Sequence, residues 1–323
     1  MTDSSPPPSR AEPESTHPPI IPESPKGTLM WRIRGMIRTL RPQQWVKNLF
    51  VLAPVVFAKH LTDPVLIRSG LGAFAVFCLL AGAVYTLNDL VDAQADRQHP
   101  AKRFRPIASG RVPMSWARVM AVVLVLVALG GAAAFLPLSF FGVAVAYFVL
   151  NLAYSFGLKK IAYVDVGCIA LGFVLRVLAG GLATATPISG FMVACTAWLA
   201  LFLGFGKRRH EITAAHAGKT RAALDAYSPG ALTAALTITG LATVSTYLAY
   251  TLDHDTQRFF DSRMLWLTAI HPLFGLIRFL QLVIGRPKAE SPTQEILRDT
   301  PFVLNGVMWI AEVIALIYRL RPS

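Results

Sequence analysis

The chain has 323 residues, of which 54% are hydrophobic and 15% charged, and its formal net charge is +13. Soluble domains carry about a quarter charged residues, so the composition excludes an ordinary soluble fold and points to an all-α integral membrane protein. The basic excess does not indicate nucleic acid: the cations flank apolar runs, where topology and anionic lipid account for them, and neither zinc-finger spacing nor a basic stripe on a polar helix occurs.

Residues 1–28 are rich in Pro, Ser and Glu, without the apolar stretch of a signal peptide. Such a composition buries too little apolar surface to offset the entropy of ordering, so a disordered tail is expected. Residues 29–44 read as an amphipathic helix lying on the membrane surface, with Trp31, Ile33 and Met36 on one side and Arg32, Arg34 and Arg38 reaching the headgroups. Apolar segments follow at approximately 45–59, 64–90, 114–135, 137–156, 163–183, 189–206, 230–252, 263–284 and 302–320. Most reach the roughly 20 residues that a crossing needs. Nine transmembrane helices over 45–320 are therefore expected, the first short and marked by Pro54, the second long enough to protrude into water.

Loop charge gives an orientation. The stretches up to Lys47, Arg97 to Arg111, Lys159–Lys160, Lys207 to Lys219 and Arg286 to Arg298 are basic; LTDP, the turn at Phe135–Pro137, TATPIS and DHDTQRFFDS between them are not. The positive-inside rule puts the N-terminus and the basic loops in the cytoplasm. Arg319 to Ser323 would then lie outside, against the rule. Cys78, Cys168 and Cys195 each sit in an apolar run without a CxxC, as small core residues do.

The second apolar segment ends in YTLNDLVDAQADRQHPAKRFRPIASGRVP. Asn88, Asp89, Asp92 and Asp96 fall at helical spacing, which would place three carboxylates on one face. Carboxylates so close repel unless cations lie between them, and Mg²⁺ is the usual hard cation for such a cluster. Lys102, Arg103 and Arg105 follow with no acid among them. Carboxylates for a metal beside cations for phosphate oxygens make a diphosphate cradle. A solvated helix end would carry similar charges, but ionisable groups that continue a membrane span are costly and usually functional.

NDxxDxxxD followed by HPxKRxRPI resembles the first Asp-rich motif of the UbiA superfamily of intramembrane prenyltransferases. The resemblance covers about residues 38–320 and implies a nine-helix bundle, Mg²⁺ and the cleavage of a diphosphate. Superfamily members usually carry a second motif, DxxxD, after the sixth span. This chain has GFGKRRHEIT there, with Lys207, Arg208, Arg209, His210 and Glu211. RPQQWVKN from Arg41, KRFRPIASG from Lys102, AYSFGLKK from Ala153, LRVLAGG from Leu175, GKRRHE from Gly206 and LRD from Leu297 resemble one subgroup, the decaprenyl-phosphate phosphoribosyltransferases. That resemblance implies transfer of 5-phosphoribose from phosphoribosyl diphosphate (PRPP) to a polyprenyl phosphate.

Such a reaction binds a diphosphate, a 5-phosphate and a lipid phosphate together, and the basic face offers Lys47, Lys102, Arg103, Arg105, Lys159, Arg176, Lys207 and Arg208. Arg176 lies well inside the fifth apolar segment, so an anion, whether a phosphate or a carboxylate such as Asp165, is expected beside it. Asp89, Asp92 and Asp96 are the candidate metal ligands and catalytic residues, with Asn88, and Glu211 joins the cations in binding substrate. Tyr154 reads as a hydroxyl donor to phosphate or as an interfacial tyrosine; Lys159–Lys160, and Lys47 with Trp45, read equally as ligands or as anchors. Arg208, Arg209 and His210 cannot all face one site, so at least one should be solvated. Asp253, His254, Asp255 and Asp261 are expected as loop residues on the outer side. The expected partners are PRPP, polyprenyl phosphate and membrane lipid, with self-association open. The alternatives are a prenyltransferase with an aromatic or other small acceptor, and a transporter without chemistry; a transporter would show broken helices and midplane polar groups, whereas the acids here gather at one face.

Overall fold

The computed structural model describes residues 27–59, 61–215, 226–285, 296 and 298–318, and these form helices and connecting turns. The tail at 1–26, the ends of the basic loops at 216–225 and 286–295, and 319–323 lie outside the described residues. Helix α1, Leu29–Leu40, is capped by the Thr28 hydroxyl, which accepts from the Trp31 amide. It stops at Arg41, which adopts a left-handed conformation (φ 53°) immediately before Pro42. Pro42 has no N–H to continue the ladder.

From there the chain runs as a 3-10 helix, Pro42–Leu52, into a short α2, Ala53–Phe57. The expected first transmembrane α-helix is therefore a stretched segment. A 3-10 helix rises about 2.0 Å per residue, so this stretch covers about 30 Å despite being short. It is wedged between α3, Pro64–Val91, and α7, Val164–Ala183. Gly180 of α7 makes this possible: a Cβ there would sit 1.9 Å from the Val51 carbonyl oxygen.

After α3 come a short α4, Ala93–Gln98, then α5, Met114–Phe135, α6, Leu138–Phe156, α7, and α8, Gly190–Ala215. The C-terminal part comprises α9, Pro229–Leu252, α10, His254–Phe260, α11, Ile270–Gly285, and α12, Thr300–Ile317. Among the described residues eight helices are long and apolar enough to cross a membrane, α3, α5 to α9, α11 with the preceding turn, and α12. At 28 residues α3 is about 42 Å long, so it outruns the hydrocarbon core as expected.

The core around α3 and α7 holds Val51, Phe77, Leu80, Phe140 and Tyr147. Ala73, Ala128 and Ala132 are fully buried there, the small residues that let membrane helices approach closely. A second core joins α8, α9 and α11 through Phe202, Leu236, Leu276 and Phe279.

Three expectations need correction. On α1 the face against the bundle is Gly35 and Thr39, with Met36 beside them, while Ile33 is exposed. DHDTQRFFDS is largely helical, because the Asp253 carboxylate accepts from the Thr256 amide and starts α10. Nor do the acids all gather with the Asp-rich motif: within the spans Glu312 contacts His271, which also contacts Asn305, at 2.8 Å each, and Asp299 pairs with Arg278 at 2.8 Å.

The turns alternate between two ends of the bundle. Arg41, the 92–113 segment, the 157–163 turn, the end of α8 and the start of α9 share one end. Lys59, which donates to the Phe259 carbonyl, and Tyr318, which donates to Val56, mark the other.

Candidate active site

The last turn of α3 carries Asn88 and Asp89, Asp92 is the residue where α3 gives way to α4, and Asp96 lies in α4. The expected single face of three carboxylates is split by this break. Asp89 and Asp96 are buried and share one guanidinium, Arg105 Nη1, at 3.3 and 2.7 Å. Asp92 turns to Lys159 in the α6–α7 connection, 3.6 Å away. Asp89 also takes Arg41 Nη2 at 2.6 Å, and the Arg41 guanidinium lies over the Tyr85 ring. Arg41 opened a recognised segment, yet the sequence did not mark it as a carboxylate partner; the signal available was an Arg before Pro at the end of an amphipathic helix.

The basic run is folded, not loose. His99 Nδ1 accepts from the amides of Ala101 and Lys102, Arg97 donates to the Ala108 carbonyl, and Ile107 and Val112 are buried beneath it. This aims Arg105 inward. Arg103 instead stacks on the exposed Phe104, and neither Lys102 nor Arg103 pairs with a carboxylate among the described residues.

Arg176 is buried among neutral partners. Nε donates to Asn48 at 2.8 Å, Nη1 to the Gly172 carbonyl at 2.9 Å and Nη2 to the Tyr147 hydroxyl at 2.7 Å. Asp165 is not beside it. The two are eleven positions apart on one helix, about 16 Å along the axis, which no pair of side chains bridges. Lys47 lies within electrostatic reach of Arg176, Lys207 and Arg41, which gathers cations near the middle of this end.

Asp165 meets Arg208 Nε at 2.7 Å, and Arg208 also binds Glu211 through Nη1. The Tyr227 hydroxyl donates to Asp165 at 2.5 Å and accepts from the Tyr163 amide at 2.7 Å. Burial and the Asp165 carboxylate push the Tyr227 phenol above its ordinary range. Lys207 lies 3.9 Å from Glu211, and Tyr154 is within electrostatic reach of Arg208. Arg208 and His210 are buried and Arg209 is half-buried, so none of the three is fully solvated as expected. The parts played by Asp165 and Tyr227 were missed: an Asp at a helix start and a Tyr after a loop carry no local signature.

Among the described residues no group of three or more Asp, Glu, His or Cys is close enough to hold a metal ion, the carboxylates being turned to Arg41, Arg105 and Lys159 instead. The donor set nevertheless suits a hard cation, since it is all oxygen. Asn88 Oδ1 is buried without a hydrogen-bond donor, as is expected of an acceptor awaiting a ligand. Trp45 Nε1 and Arg208 Nη2 are buried donors without acceptors at the same end. The residues therefore fit both a hard cation and phosphate oxygens.

The helical membrane bundle carries buried carboxylates and surplus cations at one end, and its family match makes it a membrane enzyme of the prenyltransferase type. The chain belongs to the UbiA prenyltransferase family, whose model matches residues 49–251. It is 34% identical over 304 residues to the decaprenyl-phosphate phosphoribosyltransferase of Corynebacterium glutamicum, covering 88% of this chain and 87% of that protein. It is 35% identical over 288 residues to that of Mycobacterium tuberculosis, covering 87% and 93%. The fold is similar to a UbiA homologue from Archaeoglobus fulgidus solved with DMAPP and Mg²⁺, with a TM-score of 0.65 and 19% identity over 88% of this chain and 99% of the other.

Proposed function

We propose that the chain transfers 5-phosphoribose from PRPP to a polyprenyl phosphate and releases diphosphate. The observation that carries this reading is the charge at one end: among the described residues Arg41, Lys47, Lys102, Arg103, Arg105, Lys159, Arg176, Lys207 and Arg208 outnumber the carboxylates that pair with some of them, Asp89, Asp92, Asp96, Asp165 and Glu211. A surplus of cations in a low-dielectric site is costly unless the substrates supply anions. A diphosphate and two further phosphates supply more than one lipid diphosphate does. The names of the phosphoribosyltransferase relatives point the same way.

Asp89, Asp92 and Asp96, with Asn88 Oδ1, would hold Mg²⁺, which when bound neutralises the diphosphate as a leaving group. The A. fulgidus homologue with Mg²⁺ supports divalent-metal use. An acceptor phosphate oxygen forms a bond to C1 of the ribose while the C1–O bond to diphosphate breaks, its electron pair staying on the diphosphate. The acceptor is already anionic, so no general base is required. Arg105, with Lys102, stabilises the charge that grows on the leaving oxygen, while Arg103, exposed on Phe104, helps draw PRPP in. Lys47, Tyr154, Lys159 and Lys207 bind the 5-phosphate and the lipid phosphate; Arg176 and Arg208 set the field around them, Glu211 steadies Lys207, and the prenyl chain lies against the apolar helices.

This end faces the cytoplasm on the positive-inside rule. The Pro42–Phe57 segment, about as long as the hydrocarbon core is thick, is the ninth crossing.

The test is a donor assay on purified full-length protein with Mg²⁺, labelled PRPP and a polyprenyl phosphate. Label in the organic phase, lost in Asp89→Ala and with EDTA, supports phosphoribosyl transfer and the metal site together. Transfer only from a polyprenyl diphosphate to an aromatic acid would make this an ordinary family prenyltransferase.

A further inference from the structure

Helix α1 is held on the bundle by contacts that leave a groove along one of its sides. Gly35 is pressed on the 111–112 segment, where a Cβ would come within 2.9 Å of both Arg111 and Val112. Arg111 locks the other flank: its Nε donates to the Trp31 carbonyl at 2.9 Å and its guanidinium lies over the Trp31 ring. Between α1 and the first half of α5 lies a groove of about 680 Å³ lined by Met36, Trp116, Val119, Met120, Val123 and Leu124. It is apolar along its length, and its mouth is basic. Arg32, one helical turn before Met36 and so on the same side of α1, lies over the Trp116 ring at 5.5 Å. No carboxylate pairs with Arg32 among the described residues, and α1, α5 and the 97–113 connection contain no Asp or Glu at all. Leu29, Ile33 and Ile37 are exposed beside it, with Arg34 and Arg38.

We propose that this groove binds one anionic bilayer phospholipid, its phosphate at Arg32 and its upper chain along Met36, Val119, Met120 and Val123. An apolar groove at the start of a spanning helix receives a lipid tail of any kind. The basic mouth without acids is what selects an anionic headgroup. The stacked Trp116 orders Arg32 in advance, so less side-chain entropy is lost when the phosphate arrives. The site lies outside the residues assigned to transfer, so its failure would leave the proposed function standing.

The experiment uses full-length protein reconstituted in vesicles of equal phosphatidylglycerol and phosphatidylcholine, extracted in mild detergent and stripped stepwise. Retained lipid is quantified by mass spectrometry. The wild type is expected to keep phosphatidylglycerol selectively through the last steps. Arg32→Gln should lower that preference about five-fold, the effect of removing one cation near an anionic surface, about 1 kcal/mol. Val123→Trp should displace the lipid of either kind, and both variants should keep wild-type thermal unfolding. Retention in the bulk ratio, or a preference that neither variant changes, overturns the proposal. So does a shift in oligomeric state by light scattering in Val123→Trp with phosphatidylglycerol still retained, which would make the groove an interface between copies. If Val123→Trp does not fold, the Arg32→Gln ratio decides alone.

Discussion

Asp89 and Asp165 are both carboxylates buried to a few per cent, and each meets an arginine at hydrogen-bond distance near the same end of the bundle. Their partners differ. Arg41 and Arg105, which reach Asp89, are 28% and 30% exposed, whereas Arg208, which reaches Asp165, is 2% exposed. The first pair can exchange its cation for another without leaving a charge stranded in apolar surroundings. The second cannot, because Arg208 is closed in by Asp165 and Glu211 and Asp165 is closed in by Tyr227. The same residue types thus leave one cluster open to water and close the other into a buried link between α7, α8 and the turn before α9.

The sharpest way to break this comparison is to remove the buried cation. Arg208→Met strands Asp165, and loss of one partner of a buried pair costs about 3–5 kcal/mol. Thermal unfolding in detergent should show a large drop, and Asp165→Leu added to Arg208→Met should recover most of it. A stable Arg208→Met single variant would sink the idea of a buried link.

Asp92→Asn should do the reverse. Asp92 is 40% exposed and its partner Lys159 is 3.6 Å away, so stability should change by under about 1 kcal/mol. Turnover should fall about 10²–10³-fold, the usual cost of losing one preorganised electrostatic contact to the transition state. Unchanged transfer by Asp92→Asn would remove it from the metal set.

Tyr227→Phe probes the buried link more gently. It leaves the Tyr163 amide without a partner and removes one of two donors to Asp165 Oδ1, which keeps the Val166 amide, a cost of about 1–3 kcal/mol. The sign of its pH effect also follows. The folded state holds this phenol above its ordinary value near 10, so its contribution is intact below about pH 10 and is lost as pH rises towards the folded value. Wild-type stability should therefore fall at alkaline pH, and the Phe variant should fall less steeply. Parallel curves would assign the alkaline loss to other groups.

These contrasts mark how far the sequence could be read. Eight spans were legible because runs of roughly 20 apolar residues have few other uses. The 45–59 segment was read as a short helix because hydropathy carries no sign of 3-10 geometry, and its close approach to Gly180, far away in the chain, has no local signal. Spacing brought Asp89 and Asp96 together but not Asp92, and the identity of each partner was not legible. Arg41 meets Asp89 across 48 positions and Tyr227 meets Asp165 across 62. The expected Arg176–Asp165 contact failed on helix geometry, and Arg176 is satisfied by Asn48, Gly172 and Tyr147.

The smallest expected effect tests the grain of the open cluster itself. Lys102, Arg103 and Arg105 are one basic run in sequence and three environments in the fold. Arg105 bridges Asp89 and Asp96, so Arg105→Gln removes the cation nearest both carboxylates and should cost transfer about ten-fold or more, since contacts to charged groups contribute about 1.5–3 kcal/mol. Arg103 stacks on Phe104 in the open, where charge is screened by water and salt. Arg103→Gln should change KM for PRPP by about three-fold at most and leave kcat alone, in keeping with the small worth of exposed charge contacts. Raising the salt should shrink that difference further, while the Arg105→Gln loss should persist because its partners are buried. If both variants lost kcat equally, Arg103 would have to turn inward on binding substrate, and its exposed position would describe only the unliganded enzyme.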